Sequence, residues 1–123
     1  EWVETHAQLI KNKQKWDAEQ ETYRNMRDGR LDYSVLSQFL SIGLTDICRL
    51  YVPADKRTTF PTAFLYRWQH GDTRLHGISE RLDYILVSPS LVSRCVDAHI
   101  HNGIETESIS DHYPVSVDLI IHL

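Results

Sequence analysis

The stretch from Arg81 to Ser88 reads RLDYILVS and has the alternating polar and apolar pattern of a β-strand. Because successive side chains point to opposite faces of a strand, Asp83 shares one face with Ile85 and Val87. A carboxylate on an apolar face is costly to bury unless another group pairs with it. The pattern therefore predicts a strand whose single acid is paired with a group from elsewhere in the chain.

The second informative motif covers residues 110–115 and reads SDHYPV, with Asp111 directly before His112. We expect His112 to be the partner of Asp83, since an Asp–His pair fixes the tautomer of the imidazole and supports its protonated form. Two alternatives stay open: Asp111 and His112 could only cap the strand that follows, and Asp83 could form a salt bridge with Arg81 or another Arg. An Asp–His pair next to a further acid favours chemistry on a phosphoester.

Around these motifs the sequence predicts helices before Gly43 and strands after it. A first helix is expected over residues 1–28, where Trp2, Leu9, Trp16 and Tyr23 recur every seven residues. A second helix is expected to be capped by Asp32 or Ser34, to turn Leu36, Phe39 and Leu40 toward a core, and to end at Gly43.

Five strands are predicted, at residues 58–61, 64–68, 82–88, 95–100 and 114–121. In the last strand, alternation predicts that four side chains point inward, namely those of Val115, Val117, Leu119 and Ile121. Helices followed by strands with mostly antiparallel connections indicate an α+β fold.

The charge of the chain limits the classes of function. The net charge of −4 argues against strong sequence-independent attraction to nucleic acid. The charges are uneven, however: residues 49–81 contain six Lys or Arg and three acids, whereas residues 95–118 contain five acids and no Lys or Arg. An acidic site beside a basic rim suits a metal-dependent enzyme that acts on a phosphodiester. Ordinary solvated loops would give the same pattern.

Cysteine usage and hydropathy add two expectations. Cys48 and Cys95 lie in apolar runs without metal-ligand spacing, so we expect reduced core residues. No apolar run in the sequence approaches the length of a membrane span, so no membrane partner is expected.

Taken in order, the GLTD turn at residues 43–46, the TFPT run at 59–62 and the two motifs above resemble the C-terminal half of the endonuclease/exonuclease/phosphatase superfamily. The resemblance covers roughly residues 35–121. It is strongest to exonuclease III-like apurinic/apyrimidinic endonucleases and to the endonuclease domains of non-LTR retrotransposons. The resemblance implies half of a four-layer α/β sandwich of the DNase I-like type, with mostly antiparallel strands and peripheral helices.

The same resemblance implies roles for three residues. His112 acts at the scissile phosphate, Asp83 orients His112, and Asp111 belongs to the site of a Mg²⁺ or Mn²⁺ ion. Hard oxygen ligands suit those cations. The implied reaction is metal-dependent hydrolysis of a DNA phosphodiester by an activated water.

Three further residues are candidates for substrate binding, namely Thr59, Phe60 and Trp68. Thr59 and Phe60 match a Thr-Phe pair that lies near the substrate groove in the family. Phe60 or Trp68 could stack on a base or sugar, and core packing is the alternative for both.

The subtype and the extent of the domain are also expectations. Many members that open abasic DNA have an aromatic residue where this chain has Ser79 and Glu80, and the stretch 64–79 is long, so the retrotransposon type is favoured. Such a protein would be intracellular and nuclear. The other candidates are a superfamily phosphatase, a sphingomyelinase-like phosphodiesterase acting on lipid or inositol head groups, and a non-catalytic remnant.

The family also has an Asn, a metal-binding Glu and a Gly-Asp-x-Asn turn in its N-terminal half, and these are not found in order here. We therefore expect residues 1–123 to be the C-terminal part of a single domain whose N-terminal half is missing. Residues 1–30 would be a peripheral helix of that domain.

Overall fold

A computed structural model of the chain describes residues 2–21, 25–65 and 79–121. These residues form helices and two-stranded antiparallel sheets, which agrees with the coarse prediction of a mixed α and β chain. None of the helices in these ranges combines the length and the apolar composition that a membrane crossing requires. The chain divides into two compact units, Glu1–Gln38 and Phe39–Leu123.

The first unit contains one long helix and a short hairpin. Helix α1 covers Trp2–Glu19, and strands β1 (Met26–Arg27) and β2 (Arg30–Leu31) pair antiparallel. Asp28 and Gly29 connect the two strands with φ angles of 49° and 75°. An Asp-Gly pair with both residues in the left-handed region is a strong hairpin signal. The predicted helix over residues 1–28 is too long, since α1 ends at Glu19 and Met26 and Arg27 belong to the hairpin.

A buried carboxylate connects α1 with β1. Asp17 is 6% exposed, and its carboxylate accepts hydrogen bonds from the Asn25 side-chain amide (2.6 Å), the Asn25 backbone N–H (3.1 Å) and the Met26 backbone N–H (2.9 Å). Burial raises the pKa of Asp17, but these hydrogen bonds and the nearby Lys13 outweigh it, so the pKa lies below its ordinary value. The ionised form of Asp17 is thus the one that stabilises this unit.

Acid should therefore release the contact between Asp17 and the hairpin. A carboxylate with a lowered pKa in the folded state stabilises the fold above its unfolded pKa, about 3.9, and this stabilisation is lost as the pH falls through the folded value. We expect the Met26 amide to be protected from hydrogen exchange at neutral pH and to lose protection in acid. Asp17→Ala should remove the protection at neutral pH as well.

Asp28→Asn is the matched control for Asp17→Ala, because Asp28 is an exposed acid and asparagine tolerates the left-handed conformation. Unchanged exchange of the Met26 amide in Asp17→Ala would contradict the assigned role.

Helix α2 (Ser34–Ser41) begins and ends as the sequence predicts. Asp32 accepts a hydrogen bond from the Ser34 backbone N–H at 2.8 Å, and Gly43 follows the helix with a φ angle of 94°. The predicted core face is wrong for Phe39 and Leu40, which are 45% and 37% exposed. Helical periodicity shows that a face is apolar, but it does not show what covers that face.

Within its described residues, 39–65 and 79–121, the second unit contains two sheets and several short helices. After α2, its elements are β3 (Thr45–Asp46), α3 (Cys48–Tyr51), a 3-10 helix (Ala54–Lys56), β4 (Leu86–Val87), α4 (Pro89–Val92), β5 (Cys95–Ile100) and β6 (Val115–Leu119). Strand β3 pairs with β4 and β5 pairs with β6, both antiparallel.

The predicted strands have different outcomes. The strand at residues 95–100 is confirmed, and β6 lies within the predicted range 114–121. The predicted strand at 82–88 is too long, because only Leu86–Val87 pair as a strand, and the strand at 58–61 is reduced to one bridge between Phe60 and Glu80. The strand at 64–68 is wrong at its start, since residues 63–65 are helical. Residues 66–68 lie outside the described residues.

The core of the second unit lies between α3 and the β5–β6 sheet. Its buried members are Ile47, Cys48, Val52, Val87, Cys95, Ala98 and Ile100. Both cysteines are free and buried, as predicted. Burial raises the pKa of the Cys48 thiol, so this group is a core residue rather than a thiolate nucleophile.

Only some of the β6 side chains that alternation predicted to face inward pack against this core. Val115 and Val117 pack against the core. The prediction is wrong for Leu119 and Ile121, which are 40% and 71% exposed. Leu119 is the last residue of β6 and Ile121 follows the strand, and among the described residues this sheet has no third strand that could cover them.

Candidate functional site

The two sequence motifs meet at one hydrogen bond. The imidazole Nδ1 of His112 lies 2.7 Å from Oδ2 of Asp83, and each side chain is 37% exposed. The predicted proximity of Asp83 and His112 is thus confirmed, whereas the expected burial of the carboxylate is not. Below, we call these two residues the Asp–His pair.

Thr59 contacts the chain on both sides of this pair. Its hydroxyl oxygen accepts hydrogen bonds from the backbone N–H groups of Leu82 (2.9 Å) and Asp83 (3.1 Å). Its carbonyl oxygen accepts the backbone N–H of Tyr113 at 2.8 Å. Thr59 is fully buried. These bonds also explain why residues 82 and 83 form no strand, since a hydroxyl occupies the N–H groups that a neighbouring strand would use.

Thr62 makes the equivalent connection to the loop that carries His112. Its backbone N–H donates to the carbonyl of Asp111 at 3.0 Å, and its hydroxyl donates to the carbonyl of Ser110. Thr62 is also fully buried. The peptide bond between Phe60 and Pro61, between the two threonines, is cis. The segment from Thr59 to Thr62 therefore lies between the two motifs and bonds to both.

Phe60 packs beside the histidine. The ring centroids of Phe60 and His112 are 4.9 Å apart, and the two ring planes are tilted by 49°. One side of the imidazole is therefore in contact with a hydrocarbon ring, which restricts its rotation. Tyr113 is the next titratable group along the loop, and burial, together with the nearby Glu107, raises the pKa of its phenol. Tyr113 is consequently neutral at physiological pH and is not a base.

Arg81 has a structural partner other than Asp83. Its guanidinium forms two hydrogen bonds to the carboxylate of Asp46, at 2.6 and 2.5 Å, with 16% and 8% of the two side chains exposed. The guanidinium carbon also lies 4.5 Å from the centre of the Tyr84 ring. The alternative in which Arg81 neutralises Asp83 is therefore not what the structure shows. Asp46 belongs to the GLTD turn at residues 43–46, and nothing in that motif marks it as the partner of Arg81.

Removing one member of the Arg81–Asp46 pair should destabilise the second unit strongly. Asp46→Leu leaves a buried guanidinium without its counter-charge, and we expect a loss of about 3–5 kcal/mol in the free energy of unfolding. The double variant Asp46→Leu/Arg81→Met should recover most of this loss, because no charge then stays buried. Urea unfolding measures both effects. Asp55→Leu, which replaces an exposed acid, is the control. Equal losses of stability in Asp46→Leu and Asp55→Leu would contradict the prediction.

Asp111 lies at the edge of the same site. It is half-buried, and its Oδ1 accepts a hydrogen bond from the Ser110 hydroxyl at 3.1 Å. Within residues 2–21, 25–65 and 79–121, no group of three or more His, Cys, Asp or Glu is placed to bind a metal ion. Mg²⁺ commonly uses one or two carboxylates together with water and substrate phosphate. Asp111 therefore fits one ligand position of such an ion, and by itself it does not complete a site.

The predicted substrate contacts have different placements. Thr59 is fully buried with its hydroxyl bonded to the backbone, so direct contact with a substrate does not fit its position. Phe60 is half-buried against His112, which favours the core-packing alternative while leaving an edge of the ring at the site. Trp68 lies outside the described residues.

The predicted basic rim is weaker than its composition suggests. The Arg57 guanidinium donates to the backbone carbonyls of Val52 (2.7 Å) and Arg49 (3.0 Å), and Arg81 is paired with Asp46. Arg67 and Arg74 lie outside the described residues. Two of the six basic side chains are thus engaged in internal contacts rather than displayed toward a phosphate backbone.

A second Asp–His contact occurs on strand β5, away from both motifs in the sequence. Nε2 of His99 lies 3.2 Å from Oδ2 of Asp97, with 48% and 49% of the two side chains exposed. The contact between Asp97 and His99 was not among the sequence predictions. The available signal was alternation, since residues 97 and 99 share one face of a strand.

No protein-family model, curated protein or solved structure matches the chain. The superfamily assignment is therefore a proposal, and its support is the order of the motifs in the sequence together with the contact between Asp83 and His112.

The Asp–His pair should select one tautomer of His112. An ionised Asp83 accepts a hydrogen bond, so the proton of the neutral imidazole should be on Nδ1. Asp83→Asn offers both a donor and an acceptor at that position, and we expect a mixture of tautomers. The ¹⁵N chemical shifts of the His112 ring measure this ratio. Asp97→Asn is the matched control because it changes the other Asp–His contact, and an equal response of His112 to both variants would refute the assignment.

Proposed function

We propose that this chain carries the histidine side of a metal-dependent phosphodiesterase centre of the endonuclease/exonuclease/phosphatase type. The 2.7 Å contact between Asp83 and His112 is the observation that supports it most directly. Two residues 29 positions apart, each from a motif that resembles this superfamily, are paired as such a centre requires. As part of the same proposal, the fold of this chain would be half of a DNase I-like sandwich.

In the proposed mechanism, His112 acts through Nε2. Because Nδ1 is bonded to Asp83, Nε2 is the ring atom that can donate to a phosphate oxygen once the ring is protonated. Attack of water on phosphorus increases the negative charge on the non-bridging oxygens, and an N–H donor aimed at one of them stabilises the transition state. The Asp83 carboxylate stabilises the imidazolium and keeps the ring oriented.

Asp111 is proposed as one ligand of the metal ion. When bound, Mg²⁺ or Mn²⁺ would supply charge neutralisation at the phosphate and a lowered pKa for a bound water. The resemblance places a metal-binding Glu in the N-terminal half of the domain, which would provide a second carboxylate. We therefore expect the 123 residues alone to be inactive and a polypeptide that joins them to that half to be active.

DNA is proposed as the substrate, with the retrotransposon type of endonuclease as the preferred subtype. The resemblance to exonuclease III-like enzymes supports this choice, and Arg57 and Arg81 do not add to it because their guanidinium groups are engaged in internal contacts. A nuclear location follows from the same proposal. The lipid or inositol phosphodiester is the competing substrate, which the assay below separates.

Hydrolysis should depend on His112. The assay uses a polypeptide that contains this sequence together with the upstream segment, with supercoiled plasmid, abasic duplex and sphingomyelin as substrates, each with and without Mg²⁺. We expect nicking of plasmid that requires Mg²⁺. His112→Ala should lower the turnover rate about 10²–10⁴-fold, because an interaction made in the transition state is removed.

His101→Ala is the matched control for His112→Ala. His101 is an exposed histidine whose Nε2 lies 2.8 Å from the Ser116 hydroxyl, and its removal should leave turnover unchanged. Cleavage of sphingomyelin but not plasmid would replace the substrate proposed here. Turnover that survives His112→Ala, or His112-dependent turnover by the 123 residues alone, would contradict the proposed mechanism.

A further inference from the structure

We infer that Thr59 is a positioning residue, whose hydroxyl fixes the backbone of Asp83 so that the carboxylate meets His112. The catalytic meaning of this inference rests on the function proposed above. Whether the contact between Asp83 and His112 depends on the Thr59 hydroxyl can be measured without any assay of activity.

The placement of Thr59 is the first support. Its hydroxyl oxygen accepts the N–H of Asp83 itself and that of the preceding residue, Leu82, at 3.1 and 2.9 Å. Its carbonyl accepts the N–H of Tyr113, the residue directly after His112, at 2.8 Å. One residue therefore bonds to the backbone at one member of the pair and next to the other member.

The chemistry of the hydroxyl is the second support. A hydroxyl oxygen has two acceptor positions, and both are used here by backbone N–H groups. Valine has nearly the same shape as threonine but no acceptor, so it would leave two partly buried N–H groups without their present partner. Serine keeps the acceptor and loses only a methyl group.

The other contacts near the pair do not replace this one. Thr62 bonds to Ser110 and Asp111, on the side of the loop that carries His112, and neither bond involves residue 83. Arg81 lies two residues before Asp83, and its guanidinium is paired with Asp46. Thr59 is thus the residue whose side chain bonds directly to the Asp83 backbone.

The test compares three variants of the whole chain by NMR, namely Thr59→Val, Thr59→Ser and Thr62→Val. Thr62 is the matched control because both threonines are fully buried and make bonds to the backbone. In Thr59→Val we expect hydrogen exchange of the Leu82 and Asp83 amides to be about tenfold faster than in the wild type. In Thr59→Ser and Thr62→Val these amides should exchange at the wild-type rate.

The His112 ring provides the readout that a general loss of stability would not produce. Its Nδ1–H proton, bonded to Asp83, should give a slowly exchanging signal in the wild type and in Thr59→Ser. In Thr59→Val the signal should be lost while the amides of Cys95–Ile100 keep their protection. An unchanged Nδ1–H signal in folded Thr59→Val would overturn the inference.

If Thr59→Val does not fold, Thr59→Ser and Thr59→Ala decide the question, because these two differ only in the hydroxyl. Equal Nδ1–H exchange in that pair overturns the inference, and faster exchange in Thr59→Ala supports it. Where hydrolysis is also found, Thr59→Ala should lower turnover and Thr59→Ser should restore it. The expected NMR response, together with no hydrolysis by a polypeptide that joins this chain to the N-terminal half of the proposed domain, would refute the proposed function and leave the positioning role of Thr59 supported.

Discussion

The candidate site depends on the segment from Thr59 to Thr62. This segment forms hydrogen bonds both to the residues around Asp83 and to the loop that carries His112. The Asp–His pair alone cannot bring its two chain segments together. An ion pair with 37% of each side chain exposed is worth roughly 0–1 kcal/mol, and each net buried hydrogen bond adds about 1 kcal/mol. The five bonds from Thr59 and Thr62 to residues 82, 83, 110, 111 and 113 therefore outweigh the contact that they position.

The Arg81–Asp46 pair adds a second fixed point on one side of the site. The guanidinium joins residue 81 to strand β3, which pairs with β4 immediately downstream of the Asp83 region. Asp83 is thus bounded by an ion pair on one side and a two-residue sheet on the other. A short segment fixed at both ends keeps the backbone of Asp83 in place within reach of His112.

The sequence predicted the Asp–His pair because alternation in RLDYILVS left one acid without a local partner. It also predicted β5 and the end of α2, where the pattern and Gly43 agree. It failed where a bond comes from a distant residue. Nothing in the spacing shows that the Thr59 hydroxyl takes the N–H groups of a predicted strand, or that Thr59 is buried instead of facing a substrate.

The sequence pattern also could not show which apolar faces are covered by other elements of the fold. Phe39, Leu40, Leu119 and Ile121 have the periodicity of core residues and yet are exposed. Periodicity reports which side chains share a face, whereas burial depends on the elements packed against that face. The Asp28-Gly29 turn was a different kind of miss, since its signal was local and the predicted helix was continued as far as Asp28, the first residue of the turn.

The half-exposed state of the Asp–His pair determines how it could act on a phosphate. In contact with water, two charges about 4 Å apart attract by only about 1 kcal/mol, and the attraction grows several-fold when the effective dielectric falls. In the proposed mechanism, Asp83 would therefore contribute orientation before a substrate binds. It would contribute charge stabilisation only after the substrate has excluded water from the imidazole. Preorganisation by the buried threonines would make that second contribution available at once, because no chain segment has to be ordered when the phosphate arrives.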